Sequence, residues 1–162
     1  MTSTELPDLI REFLIERTAL LVRHEIVATH VPDYDINNAY QYIVAREQTH
    51  LSWLQQALLA LGAAIPPDPS KQDCAIGKGA EAWKTLAAED ATANARFVER
   101  WRLRIEGLSN ARQQGMLNVI LDETLEHKRL FDQAAAGRKD LIGSSLAIND
   151  HPGIVMGTRW VE

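Results

Sequence analysis

Glu47 and His50 stand three positions apart in the run Glu-Gln-Thr-His, inside a stretch whose apolar residues recur every three or four positions. On a helix that spacing sets a carboxylate and an imidazole side by side on one face. The apolar neighbours Ile43, Val44, Leu51 and Leu54 place both groups on the inward stripe. Three further segments carry ionisable groups at similar positions. Asp90 lies between Ala87 and Phe97, with Asn94 one turn on and Glu89 competing from the flank. Glu123 and His127 lie between Ile120 and Leu130/Phe131. Glu16 sits toward the edge of the first stripe. A buried carboxylate costs several kcal/mol unless it is paired or holds a cation. Glu16 and Glu47 are separated by nearly the same length of chain as Asp90 and Glu123, so two helical hairpins bring the four acids to similar heights. Four acids with two imidazoles, His50 and His127, make a carboxylate-bridged site for two metal ions. That mixture of oxygen and nitrogen donors suits iron or manganese, and zinc is chemically possible.

Each of these positions also has a plainer reading. Glu47 and His50 form a surface pair if the stripe is rotated. Arg17 faces partly inward, and its pairing with an acid would weaken the metal reading. His24, near the middle of the first stripe, reads as a hydrogen-bonded core histidine before a ligand. His30 and His151 read as loop and tail residues. Trp53 and Trp101 are core fillers by default, as large aromatics at helical spacing usually are.

The elements that must position these groups are four long periodic segments, roughly 7–29, 36–61, 80–106 and 111–135. Pro7 and Asp8 suit a first helical turn. Asp35 is a candidate cap for the second segment, and Gly62 its stop. Gly107 ends the third. Ser109 or Asn110 caps the fourth, where Asn110 with Gln113 could form a capping box, and Gly137 stops it. No segment before residue 138 shows sustained alternation, so the fold class is all-α. The joints within the first and second pairs of segments are short, which makes antiparallel neighbours. The middle link, 63–79, contains Ile65-Pro66-Pro67-Asp68-Pro69. A helix of about 26 residues is about 39 Å long, and an extended link of about 16 residues spans about 50 Å, so the link can run the height of a bundle. The expected organisation is a four-helix bundle over 1–137 and an irregular tail over 138–162 that packs on the bundle or on a neighbouring subunit.

Composition narrows the partners. The chain has 162 residues, 46% of them apolar, one cysteine (Cys74) and a formal net charge of −5. One domain with a full core is expected, without a disulfide framework. The negative balance argues against nucleic acid, which needs a basic face. No apolar run is long enough to span a membrane, and the N-terminus carries no signal-peptide pattern, so a cytoplasmic location is expected.

Over roughly residues 7 to 136 the helix layout and ligand spacing resemble the ferritin-like superfamily, especially the bacterioferritin and rubrerythrin-type di-iron bundles. The most specific piece is Glu47-Gln-Thr-His50-Leu-Ser-Trp-Leu54, similar to that family's second-helix ligand motif. Glu16 in Ile-Glu-Arg-Thr-Ala matches the first-helix acid, and Asp90 stands where a third-helix glutamate is usual. The fourth helix departs from Glu-x-x-His. In Asp122-Glu123-Thr-Leu-Glu126-His127, either Glu126 takes the histidine's place or His127 reaches in from one residue further on. The resemblance implies a ferritin-like bundle of two hairpins joined by a long crossover. It implies metal ligands among Glu16, Glu47, His50, Asp90, Glu123, Glu126 and His127, two metal ions, and a small-molecule oxidant, oxygen or peroxide. It also implies a homo-oligomer, dimer or larger. Ferrous-iron oxidation is the simplest activity of such a site. An iron-storage cage subunit and a metal-free structural or interaction module are the competing readings.

Overall fold

The computed structural model describes residues 5–69, 74–138 and 140–142. Its regular structure is four helices: α1 (Glu5–Ala28), α2 (Tyr34–Ala60), α3 (Ala82–Glu106) and α4 (Ala111–Ala135). They lie within a few residues of the four periodic segments, and no strand occurs among the described residues. The ends follow local chemistry. Asp33, not Asp35, caps α2, its carboxylate accepting from the backbone N–H groups of Asp35 and Ile36. Asn110 caps α4 by accepting from the Gln113 N–H. Gly62 and Gly137 leave their helices with φ of 71° and 84°, the left-handed conformation that a side chain disfavours. None of the four helices is long and apolar enough to cross a membrane.

Helices α1 and α2 pack closely as one pair, and α3 and α4 as another; α1–α3 and α2–α4 are looser neighbours. Cross-bundle contacts give the directions. Glu12 meets Arg104, Glu16 meets Arg100 and Arg23 meets Asp90, so numbering rises on α1 as it falls on α3. Arg46 meets Glu123 and Tyr42 meets the His127 ring, so α2 and α4 are antiparallel as well. The link between the hairpins therefore runs from one end of the bundle to the other. Ala63 packs at one end and Cys74 at the opposite end.

The apolar interior is two clusters. One is built on Phe13, Leu54, Leu58, Phe97, Trp101, Leu117 and Ile120; the other on Val27, Ile36, Tyr40, Trp83, Leu86, Leu130 and Phe131. Between the two clusters each helix carries buried polar groups: Arg17 and His24 on α1, Glu47 and His50 on α2, Asn94 on α3, and Thr124 and His127 on α4, with Asp90 one turn further into the second cluster. The bundle is thus two apolar cores separated by a polar layer at mid-height. A well-packed apolar layer would cost less than these buried groups, so the layer is the part of the fold that stability alone does not explain.

Candidate functional site

Glu47 is the centre of the layer. Its side chain is fully buried and collects nitrogens from two other helices. Arg17 Nη2 donates to Oε1 at 2.9 Å. His24 Nδ1 lies 2.8 Å from Oε2 and 3.0 Å from Oε1. His127 Nδ1 stands 3.5 Å from Oε1, an ion-pair distance without hydrogen-bond direction. Burial pushes the Glu47 carboxyl up, but the charges of Arg17 and His24, the nearby His127 imidazole and the hydrogen bond to His24 outweigh it, so the group is held well below the usual carboxylate range.

A second carboxylate sits at the α2–α4 edge. Arg46 forks onto Glu123 with Nε and Nη2 at 3.0 and 2.7 Å, and His50 Nε2 meets Glu123 Oε2 at 2.8 Å. Burial raises the Glu123 carboxyl, and the hydrogen bonds from Arg46 and His50 more than reverse that, leaving it lowered. Burial, then the nearby Arg17 charge, lowers the His50 imidazole to about 4, against the pull of Glu123. The His50 and His127 rings stack 6.2 Å apart, which joins the two carboxylate clusters.

The structure brings together Glu47, His50, Glu123 and His127 of the seven expected ligands. It separates the other three. Asp90 is fully buried but accepts from Tyr40 Oη at 2.8 Å and pairs with Arg23. Tyr40 is two turns from Glu47 along α2, about 10.5 Å by helical rise. Glu16 lies at the outer α1–α3 edge, where it accepts from Trp101 Nε1 at 2.9 Å and pairs with Arg100. Glu126 points outward and pairs with Arg129 at 2.6 Å. On α4 it is His127, not Glu126, that reaches the interior. Arg17, expected only as a partly inward group, is wholly buried. His24 is the hydrogen-bonded core histidine that its place in the stripe indicated.

Each of these acids has its own guanidinium: Arg100 on Glu16, Arg17 on Glu47, Arg23 on Asp90, Arg46 on Glu123 and Arg129 on Glu126. Among the described residues, no three histidine, cysteine, aspartate or glutamate side chains converge as a group that could hold a metal ion. The donor set as it stands therefore does not fit a pair of metal ions: the charge that two ions would neutralise is already neutralised. Several buried nitrogens nevertheless make no hydrogen bond within the chain: Arg17 Nε and Nη1, His24 Nε2, His50 Nδ1 and His127 Nδ1. The Asn94 carbonyl oxygen is likewise unpartnered, although its amide reaches the Thr124 carbonyl at 3.4 Å.

No protein-family model, curated protein or solved structure matches the chain. Sequence reasoning missed Arg23 and Arg46 as partners of Asp90 and Glu123, and the hydroxyl of Tyr40. The available signal was positional: Arg46 immediately precedes Glu47, which puts its long side chain on the flank of the inward stripe, where it can reach along the edge to α4.

That edge is open. A cleft of about 690 Å³ lies between α2 and α4, and its lining includes Tyr42, Arg46, Glu123, His127, Leu130 and Ile142. Its lining combines apolar side chains, Leu130, Leu141 and Ile142, with Arg46 and the Glu123 and His127 edge of the polar layer.

Proposed function

We propose that the chain is a ferritin-like four-helix bundle that works as a metal-free binding module, taking a small amphipathic molecule into the α2–α4 cleft. The observation that carries this reading is the meeting of that cleft with the polar layer at His127, a residue only 2% exposed and backed by Glu47. The cleft is within the size range of small-molecule sites, about 300–1,000 Å³, and combines apolar side chains with a few polar groups. The two-hairpin order with its end-to-end link supports the ferritin-like assignment, as does the Glu47-x-x-His50 spacing. A head group would meet His127 and Glu123, and a hydrocarbon body would cover Leu130 and Ile142. The matched probes are 3-phenylpropanoate, 3-phenylpropanol and phenethylamine, which differ only in head group. Titrated into labelled protein, at least one should shift the Tyr42, His127 and Ile142 resonances in a saturable way, and His127→Gln should remove that preference. No saturable shift with any of the three, or the same response from His127→Gln, would reject the cleft.

A second reading is a di-metal oxidoreductase that oxidises ferrous iron with oxygen or peroxide. The unpartnered imidazole nitrogens of His24 and His50 favour it, since buried polar atoms without partners call for an explanation. Its ligands would come from Glu47, His50, Glu123 and His127, and the guanidiniums already paired with the two carboxylates, Arg17 on Glu47 and Arg46 on Glu123, stand against it. Metal analysis after anaerobic ferrous loading separates the two. The metal-free reading expects no retained iron; about two ions per chain, as di-iron bundles hold, would install the second reading in its place.

A further inference from the structure

Arg17 is the least expected member of the polar layer. A guanidinium is among the costliest groups to bury, and this one is wholly enclosed with two of its three nitrogens lacking hydrogen bonds within the chain. Its remaining nitrogen holds Glu47 Oε1, and its charge lies 5.8 Å from the centre of the Phe97 ring. Around the same carboxylate, His24 and His127 both turn Nδ1 toward its oxygens. The nitrogens thus converge on the acid rather than on a common point between acid and imidazoles.

We propose that Arg17 is the resident cation of the bundle centre: it takes the charge-balancing place of a metal ion at Glu47 and thereby keeps divalent metals out. Without that guanidinium, Glu47 is a buried carboxylate with His24 and His127 turned toward it, and a shift of the two imidazoles onto a shared point would make a mixed oxygen and nitrogen donor set of the kind that binds cobalt or zinc. The centre is a latent single-ion site one substitution away from use. This inference rests on the metal-free half of the reading above and is independent of the cleft.

Cobalt(II) is the probe, because its visible bands report inner coordination. Wild-type protein, Arg17→Met and Arg17→Glu are each equilibrated with cobalt, dialysed, and measured for cobalt content, visible spectrum and melting temperature. Wild type is expected to retain none and to melt at the same temperature with or without cobalt. Arg17→Met is expected to melt about 10 °C lower than wild type without metal, the scale for breaking a buried ion pair in a chain of this size. With cobalt it should regain most of that loss and hold about one ion per chain. Arg17→Glu should bind more tightly, having one more carboxylate. Adding Glu47→Gln to Arg17→Met should abolish cobalt uptake and restore metal-independent folding. Should either single variant fail to fold alone, refolding with cobalt decides: recovery of the helical spectrum supports the proposal, and failure in both while the double variant folds overturns it. Cobalt bands in wild type would overturn both this inference and the metal-free reading. Folded Arg17→Met and Arg17→Glu proteins that stay as cobalt-free as wild type would overturn this inference alone.

Discussion

Glu47 and Glu123 are two carboxylates of one layer with the same kinds of partner, an arginine and histidine, and they differ in what surrounds them. Glu47 is sealed, and its partners come from α1 and α4, so it ties three helices together. Glu123 keeps 29% of its side chain exposed, and both of its partners come from α2. Burial makes the first pair a commitment of the fold, since neither charge can be lost without stranding the other. Water makes the second pair exchangeable, because a ligand or solvent can replace either partner at small cost. The chemistry is alike; the dielectric around it decides which site is structural and which can bind.

The sharpest way to break that comparison is to delete each acid. Glu47→Ala leaves Arg17 charged and enclosed, and is expected to cost about 3–5 kcal/mol. Glu123→Ala leaves Arg46 to solvent and takes the hydrogen-bond partner from buried His50, and is expected to cost about 1–2 kcal/mol. Urea denaturation of the two variants measures both. Equal losses would mean that exposure does not separate the two sites.

Acid titration sharpens it next. His50 is held neutral in the fold, with its pKa lowered from 6.5 to about 4. The unfolded chain then takes up a proton that the folded chain does not, so the His50 contribution is complete above pH 6.5 and lost progressively as pH falls toward 4. Glu47 has the opposite charge type and the same sign of effect. Its carboxyl is lowered well below 4.5, so its contribution is present above that value and is lost only at more acid pH. Unfolding free energy measured against pH should fall in two stages, the upper one belonging to His50. His50→Gln should flatten the upper stage and leave the lower one. A single stage centred below pH 4.5, unchanged by His50→Gln, would show that His50 is not desolvated.

The helices and the polar layer were legible in the sequence for one reason: helical periodicity is a property of single elements, and four interrupted stripes announce themselves without knowledge of packing. The pairing was not. Glu16 and Arg17 are adjacent, and 100° of rotation sends one to the α1–α3 edge and the other to the centre. Which of the two goes inward depends on the rotation of α1 against its neighbours, set by Phe13 and Leu14 below and His24 above. The same one-residue ambiguity at Glu126 and His127 is resolved by α4, which turns the histidine in. Asp90 and Glu123 were legible as inward acids, but their arginines come from other helices, where long side chains reach in from flanks that read as surface.

Tyr40 tests whether the second buried acid behaves like the first. Asp90 is as enclosed as Glu47, yet its guanidinium, Arg23, remains a quarter exposed and also pairs with Glu89. Burial raises the Tyr40 hydroxyl, and Asp90 raises it further, so the phenol is a fixed donor. Tyr40→Phe removes one hydrogen bond to a charged acceptor while Arg23 stays in place. The expected cost is about 1.5–3 kcal/mol in denaturation, between the values for Glu47→Ala and Glu123→Ala. A loss as large as that of Glu47→Ala would place Asp90 with the sealed site.

The smallest effect is expected at the mouth of the cleft, where the comparison turns from stability to binding. Arg129 and Glu126 pair only with each other across adjacent turns of α4, and both are more than 60% exposed. Such a pair contributes little, because each partner is well solvated alone and ordering two long side chains offsets the attraction. Arg129→Ala should therefore leave the melting curve unchanged. It also removes a cation from the lining of the cleft, whose other guanidinium, Arg46, is already forked on Glu123. A carboxylate probe should then bind several-fold more weakly, while an uncharged alcohol of the same shape should not change, the range of a single solvent-screened contact. If both probes weaken equally, Arg129 serves the shape of the cleft rather than its charge. If the melting curve falls as well, the outer rim is as structural as the centre, and the division between sealed and open carboxylates does not hold.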